Sequence, residues 1–317
     1  MKSTIIIPTL NGMCYLENCL HSLKKERAHI IVVDNGSTDG SYEMVCEKFP
    51  QVEVIRFSEN TGFCKAVNAG IRASSTKYVI FLNNDTVVCP GFVRELEAVM
   101  ERDERIFSGS AKMLSMWEKE KIDDAGDLYC ALGWAYAIGK GRPETAYRKS
   151  RFVFASCGGA AIYRAGILAQ IGLLDENHFA YLEDIDLGYR AQIYGFRNVF
   201  VPRARVYHAG SASSGSRYNP FKVRLSAQNS LYLVYKNMPL CQILLNAPLL
   251  LAGIVIKALF FLKKGLAGDY LRGIVKGVRL CASPEGRAHK VPYVRAHFAD
   301  YCRIQLQLWA NVLRLFL

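Results

Sequence analysis

Between Gly215 and Gly268 the chain has no aspartate or glutamate at all. That gap locates the net charge of +12: residues 215–317 hold fifteen Lys or Arg against three acids, while residues 1–214 carry 25 of each sign and are neutral. An electrostatic partner is therefore expected to meet the last third. The ten cysteines include no CxxC pair and no zinc spacing, which argues against a disulfide framework and suits a reducing compartment. No basic stretch and apolar core precede the first strand pattern at Thr4, so no signal peptide and a cytosolic start are expected. GxGxxG and GxxxxGK[ST] are also missing, which counts against dinucleotide and P-loop sites. Repeats and low-complexity tracts are absent. A hydrophobic share of 51% against 21% charged residues excludes global disorder and supplies a core.

What is present first is a rhythm. Strand patterns at Thr4–Pro8, His29–Asp34, Val52–Phe57 and Tyr78–Leu82 alternate with helix patterns at Tyr15–Lys25, Ser41–Lys48, Lys65–Ala73 and Phe92–Glu101. That alternation predicts an α/β fold with a mostly parallel central sheet and helices on both faces. Beyond it, Ile106–Leu114 reads as a strand and Trp117–Arg148 as a loop or hairpin region. Phe152–Tyr163 reads as a bent strand pair, and Asp184–Tyr194 as a helix stopped by Gly195. Asn198–Val201 and Arg205–His208 follow as short apolar strands.

The strands end in PTLNG, DNGSTDGS, SENTGF and NNDT, gathering polar and glycine-rich turns at one sheet edge, where open α/β sheets bind ligands. Each cluster has a structural and a functional use. Asp34 and Asp39 suit Asx-turns and caps, or contacts to a nucleotide. Asn60, Gly62 and Asn68 suit a turn into a helix, or phosphate and ribose contacts. Asp85 in FLNNDTVV suits a cap, or a divalent cation beside a diphosphate, with His208 as a second ligand or a plain hydrogen-bonder. Glu183, Asp184 and Asp186 crowd a helix start favoured by the macrodipole, where one carboxylate is placed to act as a general base.

The final third changes character. Cys241–Leu262 is mostly apolar and long enough to span a bilayer, but Asn246, Pro248 and Lys257 interrupt it. Tyr270–Cys281 sets Leu271, Ile274, Val275 and Val278 on one helical face and Arg272, Lys276 and Arg279 on the other. Such a helix packs on a core or lies in an anionic membrane surface, and the charge asymmetry favours the membrane, by in-plane or re-entrant attachment.

Taken in order, IIIPTLNG, VVDNGSTDGS, ENTGFCKAVNAGI, FLNNDT, CGGAAIYRA, EDIDLGYRA and HAGS resemble the family 2 glycosyltransferases of GT-A fold, most closely their rhamnosyltransferase-like branch, over roughly residues 3–240. The resemblance implies inverting transfer from a nucleoside-diphosphate sugar, assisted by Mg²⁺ or Mn²⁺. It places the nucleotide on Pro8, Thr9, Asn11, Asp34 and Asp39, with Asn60 and Asn84 near the ribose and diphosphate. Asp85 and His208 match its metal ligands and Asp184 its catalytic base. The first acid of its DxD motif is Asn83 here, and its late Arg-Asn pair reads Gln228–Asn229, so Arg217 or Arg224 is a candidate diphosphate contact, with Glu183 and Asp186 candidates beside the base.

The expected organisation is a GT-A catalytic domain over 1–214, its nucleotide half ending near 102 and its acceptor half following, and then a basic helical region over 215–317. The expected donor is dTDP-L-rhamnose, with UDP-sugars next. The expected acceptor is a polyprenyl-diphosphate-linked bacterial surface glycan at the cytoplasmic face of the inner membrane. No nucleic-acid partner is expected. A nucleotidyltransferase and a catalytically silent sugar-nucleotide binder are the competing classes; the first strand lacks a GxGTR-like loop, and the three candidate catalytic and metal-binding side chains are present.

Overall fold

A computed structural model describes residues 1–210 and 218–315. Strands β1 (Ser3–Thr9), β2 (His29–Asp34), β3 (Glu53–Arg56) and β4 (Tyr78–Leu82) alternate with helices α1 (Met13–Leu23), α2 (Ser41–Lys48), α3 (Phe63–Ala73) and α4 (Phe92–Met100), with the short β5 (Thr86–Val88) ahead of α4. β4 is buried at every residue, as its unbroken apolar run requires of a strand covered on both faces. β3, β2, β1 and β4 pair in parallel.

The second half of the sheet is mixed. β6 (Ile106–Ser115), β7 (Ile122–Asp124), the hairpin β8 (Asp127–Cys130)–β9 (Trp134–Ala137), β10 (Arg151–Val153), β11 (Ala160–Arg164) and β12 (Arg197–His208) follow. The strand order is β10-β12-β6-β11-β4-β1-β2-β3, and β11 runs antiparallel to both neighbours, β4 and β6. The pair expected over Phe152–Tyr163 does not form: β10 joins β12 and β11 inserts between β4 and β6. The segment between them leaves the sheet, so each strand pairs with distant chain. The two short strands expected after Asn198 are one, with a register shift between Val201 and Arg205; a shift of this kind re-aims a strand end, and His208 is that end.

Helices α5 (Ala165–Ile171), α6 (Glu183–Ile193), α7 (Pro220–Asn237), α8 (Leu240–Lys263), α9 (Ala267–Ala282), α10 (Pro284–Ala288) and α11 (Phe298–Arg314) complete the chain. The C-terminal helices share a core with the sheet: Leu233, Val234, Tyr301 and Leu308 pack with Tyr129, Phe154, Ile185 and Tyr189. On α9 the buried stripe is Tyr270, Gly273 and Gly277. A Cβ on Gly273 would stand 2.3 Å from the Arg224 carbonyl oxygen, so α9 rests backbone to backbone on α7. Leu271, Val275 and Val278 are left exposed.

Candidate active site

β4 ends where Asn83 donates its backbone N–H to the Gly159 carbonyl (2.9 Å), and Asn84 then turns back so that Nδ2 donates to Thr9 Oγ1 (2.8 Å). These bonds tie the carboxyl ends of β1 and β4 to the amino end of β11 around a cavity of about 670 Å³. Pro8, Thr9, Asn60, Asn84, Asp85, Glu183, Asp184 and His208 all line it.

Asp85 and His208 meet because β5 pairs antiparallel with the end of β12, setting His208 opposite Thr86. His208 Nε2 lies 3.3 Å from Asp85 Oδ1, and its Nδ1 is 2.7 Å from Asp123 Oδ2. Asp123 is also bonded by the Lys140 ammonium. Burial opposes the charged imidazole, but the bonds to Asp123 and Asp85 outweigh it and raise the pKa to about 9. Burial likewise acts to raise Asp123, yet His208 and Lys140 pull it down to about 2. An imidazole held at one nitrogen by a carboxylate while the other faces a second carboxylate is the donor set of a divalent-cation site, so the residues fit Mg²⁺ or Mn²⁺.

Asp184 sits in the first turn of α6. Its Oδ2 accepts from the Gly158 N–H (3.1 Å) and its Oδ1 from the Ile185 N–H (2.7 Å). Burial nonetheless raises its pKa above the ordinary carboxylate range, against those bonds. Glu183 is pushed up to about 8 by burial and by Asp184, and its Oε2 has no hydrogen-bond partner. The approach to α6 is strained: Phe179, Tyr181 and Leu182 have φ of 60°, 70° and 67°. Asn229 on α7 holds this approach, its Nδ2 donating to the carbonyls of His178, Ala180 and Tyr181 at 2.8–2.9 Å.

Other candidates lie outside the cavity lining. Asp34 is fully buried, with Oδ1 accepting from the Ser37 N–H and Oδ2 3.5 Å from Arg56 Nε. Asp39 accepts from the N–H groups of Met13 and Ser41, and Asn11 Oδ1 from the Thr38 N–H; the Met13–Asp39 and Thr38–Asn11 bonds knit the β1–α1 turn to the β2–α2 turn. Asp186 is fully buried, held by Arg190, Lys236 and Asn237. Arg224 faces Asp269 at 3.7 Å, and Arg217 lies outside the described residues. From α7 it is Lys222 and Ser226 that reach the cavity. Asn35, Asp123, Asp124, Asp127 and Lys222 line it without having been singled out in the sequence; the acid-dense IDDAGD run was the available signal for three of them.

The family model for "Glycosyl transferase family 2" matches residues 4–172. The N-acetylglucosaminyl-diphospho-decaprenol L-rhamnosyltransferase of Mycobacterium tuberculosis is 27% identical over 239 residues, which is 67% of this chain and 77% of that protein. Among solved structures, GalNAc-T7 with UDP, GalNAc and Mn²⁺ superposes with a TM-score of 0.62 at 17% identity, over 74% of this chain and 48% of that one, so the chain spans about half of it. The Pyrobaculum calidifontis mannosyltransferase with GDP-Man and Mn²⁺ gives 0.52 at 15% identity, covering 96% of this chain and 87% of that one. These superpositions show the GT-A fold. With its family motifs set at one edge of that fold, the chain belongs to glycosyl transferase family 2 and is rhamnosyltransferase-like within it.

Proposed function

We propose that the chain is a metal-dependent, inverting glycosyltransferase that moves L-rhamnose from dTDP-L-rhamnose to a hydroxyl of a polyprenyl-diphosphate-linked glycan at the cytoplasmic face of the membrane. One observation carries the reading: Asp85 and His208, 3.3 Å apart, share a cavity with Asp184. Pro8, Thr9, Asn60 and Asn84 hold the nucleotide and diphosphate at the β1–β4 end, with Asn11, Asp34 and Asp39 shaping the base end. A bound Mg²⁺ or Mn²⁺, held by Asp85 and His208, would neutralise the departing diphosphate. Lys222 on α7 is the cation placed to meet it in the role considered for Arg217 and Arg224. Asp184, its two oxygens aimed by the Gly158 and Ile185 amides, takes the proton from the acceptor hydroxyl as that oxygen attacks the anomeric carbon from the face opposite the leaving group. Configuration therefore inverts. The donor assignment draws on the mycobacterial relative, and the lipid-linked acceptor on that relative together with the apolar, basic helices.

Incubation with dTDP-L-rhamnose and UDP-sugars, reading nucleoside diphosphate release, tests the reading. dTDP from the rhamnose donor supports it, UDP from a UDP-sugar moves it to the second donor class, and release of pyrophosphate or of nothing overturns it. Asp85→Ala is expected to abolish the Mn²⁺ enhancement of donor binding by calorimetry.

A further inference from the structure

A second cavity, of about 610 Å³, opens beside the middle of β6 and β12 and shares no lining residue with the one that holds Asp85 and Asp184. Distant parts of the chain send cations to it: Arg94 from α4, Lys112 from β6, Arg148 from the loop after β9, and Arg203 and Arg205 from β12. Two acids, Glu95 and Glu144, stand among them. Glu95 is bonded to Arg94 at 3.1 Å, and Glu144 lies 3.8 Å from Arg205. With those two pairs set aside, Lys112, Arg148 and Arg203 face no carboxylate within ion-pair distance among the described residues.

The excess is built into the sheet. Lys112 is 1% exposed, and its ammonium donates to the Glu144 and Ala146 carbonyls at 2.6 and 2.7 Å. Those carbonyls satisfy two of its three protons but bring no counter-charge, whereas a buried charge is ordinarily paired. Arg205 is the register partner of Lys112 on the adjoining strand, so two cations stand side by side. Like charges so placed are destabilising on their own. Burial, and then the charges of Arg205 and Arg148, accordingly lower the Lys112 pKa. Arg203 lies within the register shift between Val201 and Arg205, and such bulges re-aim side chains beside functional sites.

Charge and shape identify the ligand's class. The arginines keep their charge at any physiological pH, and a guanidinium fork matches the oxygens of a phosphate two at a time. A carboxylate brings one charge and leaves two of the three unpaired cations uncompensated. A phosphate monoester brings roughly two charges and three acceptor oxygens. No large apolar side chain lines the cavity, so it grips the ligand's charged group and not a ring or an acyl chain.

We propose that Lys112, Arg148, Arg203 and Arg205 form a phosphate-binding site, separate from the transfer site, that takes a phosphate monoester: a free sugar phosphate or the headgroup of an anionic lipid. The site stands on its own charges and does not depend on the transferase reading.

Calorimetry at fixed ionic strength and without divalent cations measures glucose 6-phosphate, dibutyryl phosphatidic acid and acetate on the full chain and on Arg148→Gln with Arg203→Gln. Both arginines are exposed, so the double variant is expected to keep its melting temperature. Its affinity for dTDP with Mn²⁺ is the control on the other cavity. The phosphate ligands are expected to bind the unaltered chain and to lose at least tenfold in affinity in the variant, with dTDP affinity unchanged. Tighter binding of glucose 6-phosphate supports the site with a free sugar phosphate as its ligand, and tighter binding of phosphatidic acid supports it with a lipid headgroup. Acetate bound as tightly as the phosphates overturns the proposal, as does an unchanged phosphate affinity in the variant. Phosphate binding that disappears when the full chain is saturated with dTDP and Mn²⁺ also overturns it, because the ligand then sits in the first cavity.

Discussion

Asp184 and Glu183 are adjacent in sequence yet differ in the one property that matters to a base, the support given to the ionised form. Asp184 accepts from two backbone amides, and Glu183 keeps Oε2 unpaired. The glutamate, raised to about 8, therefore holds its proton at neutral pH while the aspartate is the one prepared to lose its own. Asp184→Asn is expected to fold and bind donor but to transfer at least ~100-fold more slowly, the usual size of a general-base contribution; near-normal turnover in a steady-state assay removes Asp184 from the role. Glu183→Gln mimics the protonated acid and is expected to keep activity within about threefold at pH 7. A base must be ionised, and the Asp184 pKa is raised, so the rate is expected to fall as pH drops through a value above the ordinary carboxylate range of about 4. A kcat/KM profile flat down to pH 4 contradicts this. Asp85 and Asp184 were legible in the sequence because each ends or begins an element whose apolar pattern is unambiguous. Asp127 and Lys222 were not: what aims them at the cavity is the pairing of a hairpin and the packing of α7, and neither leaves a local pattern.

At the scale of elements, α7 sets the geometry of α6. The sequence shows Gln228–Asn229 where the resembled family has an arginine, and the structure gives Asn229 a different use: its amide spans three carbonyls of the strained segment leading into α6. Below it, Asp186 and Lys236 form a buried pair between the two helices, extended by Arg190 and Asp175. Burial opposes the charge on Asp186, but Arg190 and Lys236 depress its pKa well below the ordinary value. Its stabilising effect is thus present above the unfolded carboxylate pKa and is lost only in acid. Lys236→Met is expected to destabilise the fold by about 3–5 kcal/mol, because it strands a buried charge. Asn229→Ala is expected to cost about 1–3 kcal/mol for the carbonyls left unpaired, and to lower kcat while donor affinity stays the same. Denaturant melts and donor calorimetry together check this; an Asn229→Ala enzyme with unchanged kcat separates the clamp from catalysis. The alternating helix and strand periods foretold the first hundred residues closely, whereas β10 and β11 were misjoined because each pairs with chain far away.

At the scale of the whole molecule, the basic and apolar excess of the last third becomes a surface. α8 is 24 residues long, predominantly apolar and largely exposed, with only Gln242, Asn246 and Gly253 buried, and by length and composition it is able to cross a membrane. Its outward side shows Leu251, Val255, Leu259 and Phe260, next to Leu271, Val275 and Val278 of α9. Lys263, Lys264, Arg272 and Lys276 stand among them, all exposed. Large apolar side chains rimmed by cations are what an anionic bilayer surface binds. Cutting the chain near residue 214 does not test this, because it removes Leu233, Val234 and Tyr301 from the shared core. Substitutions confined to the exposed side do. Val255→Glu with Leu259→Glu is expected to abolish flotation with anionic liposomes while leaving the melting temperature and donor binding intact. Lys263→Ala with Lys264→Ala and Lys276→Ala is expected to weaken binding on the order of 100-fold at low salt, from about 1 kcal/mol per cation, and to have little effect on neutral vesicles. Equal flotation of all the variants on both lipids would mean that this face meets something other than a bilayer, and the proposed lipid-linked acceptor would then have to reach the proposed base from another side.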